Sequence, residues 1–294
     1  MTTFLHIGLP KAASTFLQSL IFPQALPRFL TVQEMRQQWP WMWDLNPYRP
    51  GLPQPTVKPG SQQGTFQEQE YGREGLSPSR TPSLQDSLPP GNESSRILSL
   101  EGLCGSSWNP ASNSLRNAEV ISDAFSDVRV LLVVRRQDHW FQSIWRQLVV
   151  YENRFGKYLT PDEFRRTSGL GASLTELDWG NLVLSWAEFF GLQRITVVPF
   201  ELLRQQPDVF ITEIGNWLGS VLPIHLGARV VDPQKSQSSS GFRPRMKHLR
   251  HTVRRKSWLA TSKGGTWPEL SPELKAFNRS LSSLMDRDFQ EFGY

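Results

Sequence analysis

The chain has 294 residues, 20% of them charged and 38% hydrophobic, with a formal net charge of +5 and a pI near 9.5. This composition supports a globular α/β chain with a sizeable core and excludes one that is disordered throughout. The positive balance suits an anionic ligand, nucleic acid or a membrane surface without choosing among them. The single cysteine, Cys104, excludes an intrachain disulfide and fits a reducing compartment. No apolar run is long enough to span a bilayer. No basic region precedes the first apolar stretch, which Lys11 interrupts, so the expectation is no secretory signal and a cytoplasmic protein.

In chain order, "TTFLHIG" (Thr2–Gly8) is a short apolar run ended by Gly, a buried parallel strand. "STFLQSLIF" (Ser14–Phe22) starts with hydroxyl residues suited to a helix N-terminus, and Pro23 closes it. From about 46 to 95 the sequence turns rich in Pro, Gly, Ser and Gln, and apolar periodicity vanishes. Such a stretch buries too little surface to offset its ordering entropy, so it reads as a disordered insertion within the domain. "RILSL" (Arg96–Leu100) is the next strand, with the first strand as its expected partner. "RNAEVISDAF" reads as a helix. "VRVLLVV" (Val128–Val134) is a strand apolar apart from Arg129, of the kind buried on both faces of a parallel sheet. "DHWFQSIWRQLVVY" is a helix, and "WGNLVLSWAEFFG" another, ended by Gly191. "RITVVPF" is a strand and "DVFITEIGNWLG" a helix ended by Gly. The last helix, "SPELKAFNRSLSSLMDRDF", has Ser271 as N-cap and Pro272 at its first position. Strands alternating with helices predict a doubly wound parallel α/β sheet.

Ligands of such sheets bind at the carboxyl ends of the strands. The turn Gly8–Ser14 sits at such an end and leads into a helix, a place attractive to anions. Ala12, Ala13 and Ser14 are small enough for a phosphate to approach the backbone. Ser14 and Thr15 add hydroxyls, and Lys11 a mobile positive charge. A Walker A loop does not fit, because Pro10 precedes Lys11 and Ala12 follows it. The plainer alternative is a turn with a solvated lysine. A second stretch, "VLLVVRRQDHWFQSIWRQ", ends its strand in Arg135 and Arg136 and places Ser143 eight residues after Arg135. An Arg at a strand end and a Ser two turns into the helix can converge on one phosphate.

Together these stretches resemble the sulfotransferases that use 3′-phosphoadenosine 5′-phosphosulfate (PAPS). In that family a strand–loop–helix of the form Lys-x-Gly-Ser/Thr-Thr cradles the 5′-phosphosulfate. A later strand–helix carries an Arg and, eight residues on, a Ser for the 3′-phosphate. "PKAAST" and the pair Arg135 and Ser143 are similar in order, spacing and context; Gly is the common residue where Ala13 stands. "WAEFFGLQRITVVPFELL" and "LSPELKAFNRSLSSLMDRDF" also look like the family's later helix–strand and terminal helix.

The resemblance implies a three-layer, P-loop-NTPase-like α/β fold in one domain spanning 1–294. It implies PAPS binding through Gly8, Pro10, Lys11, Ala12, Ala13, Ser14, Thr15, Arg135 and Ser143, without a metal. Lys11 would stabilise the leaving phosphate. The family's base, a His or a Glu, commonly follows the strand after the first βα unit, the slot that Glu101 occupies. The plain reading of Glu101 is a loop carboxylate paired with a cation. His6 and His139 are the competing bases, His6 more naturally a core group and His139 a capping one. His225, His248 and His251 lack a strand-end context. The acceptor implied is a small molecule or carbohydrate bearing a hydroxyl or amine; no nucleic-acid partner is expected. Trp39, Trp41 and Trp43 either line an acceptor pocket or pack in the core. The basic stretch Arg243–Lys256 is by default a solvated helix face. A P-loop kinase, or a non-catalytic nucleotide- or nucleic-acid-binding protein on the same scaffold, stays open as the alternative.

Overall fold

The computed structural model describes residues 2–9, 11–25, 28–39, 42, 95–104, 114–151, 159–168, 177–223 and 272–294. The insertion expected at about 46–95 lies outside these, apart from residue 95. So do Pro10, Trp41, Trp43, Ser271, the basic stretch, and His225, His248 and His251.

Among the described residues five strands form one parallel sheet: β1 Thr3–His6, β2 Arg28–Phe29, β3 Arg96–Ser99, β4 Val128–Val134 and β5 Ile195–Pro199. Their order is β2-β3-β1-β4-β5, with Thr3 in register with Arg96 on one side and Val128 on the other. β1 is therefore central, and the pairing of β1 with β3 is the one expected from the sequence. The chain winds first towards β2 and β3, then towards β4 and β5. The loop after β1 thus opens at the point where the winding reverses, the usual ligand crevice of an open α/β sheet. Within β4 only Arg129 is exposed, as a strand covered on both faces requires.

Helices cover both faces. Alternation along β1 sends Phe4 and His6 to one face. There Phe4 meets Trp217 edge-on at 5.4 Å and His6 meets Phe22 at 5.6 Å. Phe22 belongs to the first helical segment, α1, a short α-turn Ser14–Phe16 running into π-helical Leu17–Ile21 and a 3-10 turn Phe22–Gln24. Pro23 thus lies inside the closing 3-10 turn rather than after the helix. Trp217 belongs to the helix Pro207–Leu218. On the other face Thr3 Oγ1 accepts from Arg96 Nε at 3.4 Å, and the Arg96 guanidinium lies over Trp39 and Phe125. Trp39 ends α2 (Val32–Gln38) and Phe125 follows α3 (Ser114–Ala124). Trp39 is 1% exposed and edge-on to Phe125. Its place is in the core, which removes it from the acceptor-pocket reading.

Local signals explain the remaining ends. Thr31 and Glu34 form a reciprocal capping box at the start of α2. α4 (Gln137–Trp145) continues as π-helical Arg146–Tyr151, and α5 spans Pro161–Ser168. Asp178 caps α6 (Trp179–Phe190) by accepting from the Gly180 and Asn181 amides, and Gly191 closes it at φ 77°. α7 is Phe200–Gln205; α8 (Pro207–Leu218) has Pro at its first turn and left-handed Gly219 at its end. α9 spans Pro272–Leu284. Among the described residues no helix is long and apolar enough to cross a membrane.

A buried amide pair joins α4 to α9. Gln137 donates to Asn278 Oδ1 at 2.6 Å and accepts from Asn278 Nδ2 at 3.1 Å, and Gln137 Nε2 also donates to the Leu177 carbonyl. Asn278→Ala leaves the Gln137 carbonyl oxygen and one of its Nε2 protons without their partner in the core. It is expected to lower unfolding free energy by about 1–3 kcal/mol in urea titration; an unchanged midpoint would show that α9 is not clamped through this pair.

Candidate functional site

The turn after β1 begins as an extension of the strand, with the Ile7 amide donating to the Leu131 carbonyl at 3.0 Å. It then closes sharply, the Ala12 amide donating to the Leu9 carbonyl at 3.1 Å. Lys11 and Ala13 both take the left-handed conformation, at φ 68° and 64°. For residues with a Cβ this costs about 1–2 kcal/mol each, so the surrounding structure must hold them there. The result leaves Lys11 and Thr15 exposed and Ser14 buried at the head of α1.

Two small residues serve a purpose other than the one read from the sequence. Ala12 is fully buried in the hydrophobic core, so its methyl packs inward instead of admitting a phosphate. Gly8 is small because of His6: a Cβ there would collide with the imidazole and come within 3.3 Å of Ser14 Oγ. His6 is itself wholly buried, and burial holds its pKa down at about 3, so it stays neutral. Its Nδ1 meets Ser99 Oγ at 2.7 Å, and Gln18 Nε2 donates to the same hydroxyl at 2.9 Å. This core role withdraws His6 from the candidate bases.

Glu101 opens a 3-10 turn, Glu101–Cys104, directly beyond β3. Cys104 Sγ donates to the Ile7 carbonyl and Asn117 Nδ2 to the Leu103 carbonyl at 3.0 Å, which fastens this turn beside the β1 loop. Burial pushes the Glu101 carboxyl above its ordinary value; the Ser14 hydroxyl and the Lys11 ammonium pull it partly back. Lys11, Ser14 and Glu101 are therefore neighbours although they come from strands some 90 residues apart in sequence. Ser14 Oγ is buried and makes no well-formed hydrogen bond with any described residue.

Arg135 follows β4 directly, and Trp179 Nε1 holds its carbonyl at 3.0 Å. Its guanidinium lies 4.5 Å over the Phe200 ring, and Nη1 donates to the Lys11 carbonyl at 2.9 Å. Nε is buried without a partner among the described residues. Desolvation lowers the Arg135 pKa, with the Glu201 carboxylate pulling it back up. Ser143 lies half-buried on α4, and among the described residues it forms no hydrogen bond with Arg135; Arg135 turns to the loop and to Phe200.

The two adjacent arginines have different surroundings. Arg136 forks onto Asp138 at 2.7 and 2.8 Å, meets His139 Nε2 at 2.7 Å, and donates its backbone amide to Glu201 Oε1 at 3.2 Å. Its pKa is raised, the Asp138 hydrogen bonds first among the causes. Glu201, 5% exposed in α7, also accepts from the Tyr294 hydroxyl at 2.8 Å. His139 sits in this network too, its Nδ1 at 3.4 Å from Glu201. Sequence reading gave no role to Glu201, Phe200 or Tyr294. One signal is present in the sequence: Glu201 follows the end of β5 as closely as Glu101 follows the end of β3.

No protein-family model matches the chain, and no curated protein matches its sequence. Among solved structures, a sulfotransferase from Alicyclobacillus acidocaldarius is similar with a TM-score of 0.47 and 14% identity, over 100% of this chain and 99% of that one. Mouse sulfotransferase SULT7A1 complexed with PAP is similar with a TM-score of 0.40 and 12% identity, over 99% of this chain and 86% of that one.

The raised carboxyl of Glu101 gives a pH signature. Folding favours its protonated form, so the stability it contributes is full below the ordinary value of 4.5 and is lost as pH rises through the raised value. Glu101→Gln cannot ionise. Urea unfolding should find variant and parent similar at about pH 4, with the variant gaining relative to the parent by about pH 7. A parent that gains on the variant at neutral pH would place Glu101 in a stabilising ion pair instead.

Proposed function

We propose that the protein is a PAPS-dependent sulfotransferase acting on a hydroxyl or amine of a small-molecule or carbohydrate acceptor. We read residues 1–294 as one transferase domain. The observation that carries this reading is the convergence, at the switch point of the sheet, of an exposed lysine, a buried serine and a desolvated carboxylate, with an arginine bonded across to the same loop.

The donor set suits a doubly phosphorylated nucleotide. Arg135 Nε–H is a buried donor without a partner among the described residues, and Ser14 Oγ–H, near the Glu101 carboxyl, makes no well-formed hydrogen bond there; both border the Lys11 loop. Donors left unsatisfied in this way cost free energy unless an acceptor arrives, and phosphate and sulfate oxygens are such acceptors. Lys11, Ser14 and Thr15, at the turn between Gly8 and the head of α1, would hold the 5′-phosphosulfate. Arg135 and Ser143 would hold the 3′-phosphate.

In the reaction the acceptor oxygen or nitrogen bonds to sulfur as the sulfur–oxygen bond to the 5′-phosphate breaks, and the electron pair leaves on that phosphate. In-line positioning and charge stabilisation supply the catalysis. Lys11 would place its ammonium where the leaving oxygen gains charge. Glu101 would take the acceptor's proton. A carboxyl raised by burial is a stronger base than a solvated one, which suits that role near neutral pH.

Adenosine 3′,5′-bisphosphate tests the assignment of the donor. At about a hundred times its dissociation constant it should stabilise the fold by roughly 2.7 kcal/mol, read as a thermal shift. ATP, which lacks a 3′-phosphate, should give a much smaller shift. Equal shifts with the two nucleotides would remove the 3′-phosphate site, and with it the reading of Arg135 and Ser143.

A further inference from the structure

Arg135 touches the one part of the molecule, among the described residues, where two non-glycine residues close together are held left-handed. Its Nη1 donates to the carbonyl of Lys11, a residue 124 positions earlier and the first of those two residues in the loop. A carbonyl's direction follows its own residue's dihedrals, so this bond selects the left-handed form of Lys11. The guanidinium is in turn fixed from behind. It lies 4.5 Å over Phe200, and its own carbonyl is held by Trp179 at 3.0 Å. Phe200 and Glu201 anchor this corner, since Glu201 takes the Arg136 amide and the Tyr294 hydroxyl. Residues in sparsely populated backbone regions persist only where their surroundings over-determine them. The turn's own Ala12–Leu9 hydrogen bond is one such constraint, and the Arg135 bond is another, from outside the loop.

We propose that Arg135 is a positioning residue for the loop as well as a ligand-facing one: it is the strut that keeps Lys11 and Ala13 left-handed. Occupancy at the end of β4 and occupancy of the loop are thereby coupled. The strut stands on the geometry alone; the coupling between two parts of one nucleotide rests on the sulfotransferase reading.

The test uses the full chain without ligand and the variant Arg135→Met, which keeps a stem over Phe200 and removes every donor. Amide hydrogen exchange at Ala12 and Leu17, whose amides bond to Leu9 and Ala13, should quicken about fivefold or more. Val197 and Val198 on β5 should be unchanged. Adding Ala13→Gly to the variant should recover part of the loss, because glycine occupies the left-handed region without a Cβ penalty. Unchanged exchange in the loop would overturn the proposal. So would faster exchange spread equally over β5, or a loss that Ala13→Gly leaves untouched, since either assigns Arg135 to general packing.

Binding supplies the second arm. Adenosine 5′-phosphosulfate has no 3′-phosphate for Arg135 to meet, yet Arg135→Met should weaken its binding by about fivefold or more. A loss confined to adenosine 3′,5′-bisphosphate would refute the coupling. A parent protein that binds neither nucleotide would refute the sulfotransferase reading, while the exchange result would still decide the strut.

Discussion

The central place of β1 is the constraint on which the rest depends. It is hydrogen-bonded on both sides, to β3 and to β4, and its four residues are all buried. A strand in that position is covered on both faces and paired on both edges, so the chain leaves the sheet only at its carboxyl end. The turn after it therefore lies between the ends of its two neighbours, and the first residues beyond those neighbours are Leu100–Glu101 and Arg135. The grouping of Lys11, Glu101 and Arg135 is thus a consequence of strand order.

That order also explains which parts of the site could be read from the sequence. Charged residues set at or shortly after the carboxyl ends of largely apolar strands are conspicuous, and Lys11, Glu101 and Arg135 all stand there. The strand Val128–Val134 and the helices closed by Gly191 and Gly219 follow from local chemistry that needs no tertiary information. The purposes of the small residues do not. Gly8 answers to the His6 ring, and Ala12 to the core beneath the loop, partners visible only once the sheet is assembled. Trp39 has the same history, since nothing local distinguishes a tryptophan against Phe125 and Arg96 from one in a pocket. The Glu201–Tyr294 bond spans 93 residues, and no spacing rule reaches so far.

The contrast between Arg135 and Arg136 shows how electrostatics sort two identical side chains. Arg136 is satisfied internally by Asp138 and is bound up with His139 and Glu201, which makes it part of the frame. Arg135 has one bond to the loop, an aromatic face and a buried Nε without a partner among the described residues. A cation partly withdrawn from water with spare donors is primed for an anion, because ligand oxygens would relieve an existing desolvation cost. Glu101 is the counterpart on the other side of the loop, a carboxylate disfavoured by burial and therefore disposed to accept a proton.

Transfer of the sulfuryl group is the most direct measurement. PAPS labelled in its sulfur would be incubated with the protein and a library of hydroxyl- and amine-bearing acceptors, beside Lys11→Ala and Glu101→Gln. The account predicts label moving to at least one acceptor. It predicts loss of turnover in Lys11→Ala, and turnover lowered roughly a hundredfold or more in Glu101→Gln, with nucleotide binding in the latter nearly intact. Near-normal turnover in both variants, or bound PAPS with no label transferred to any acceptor, would contradict it.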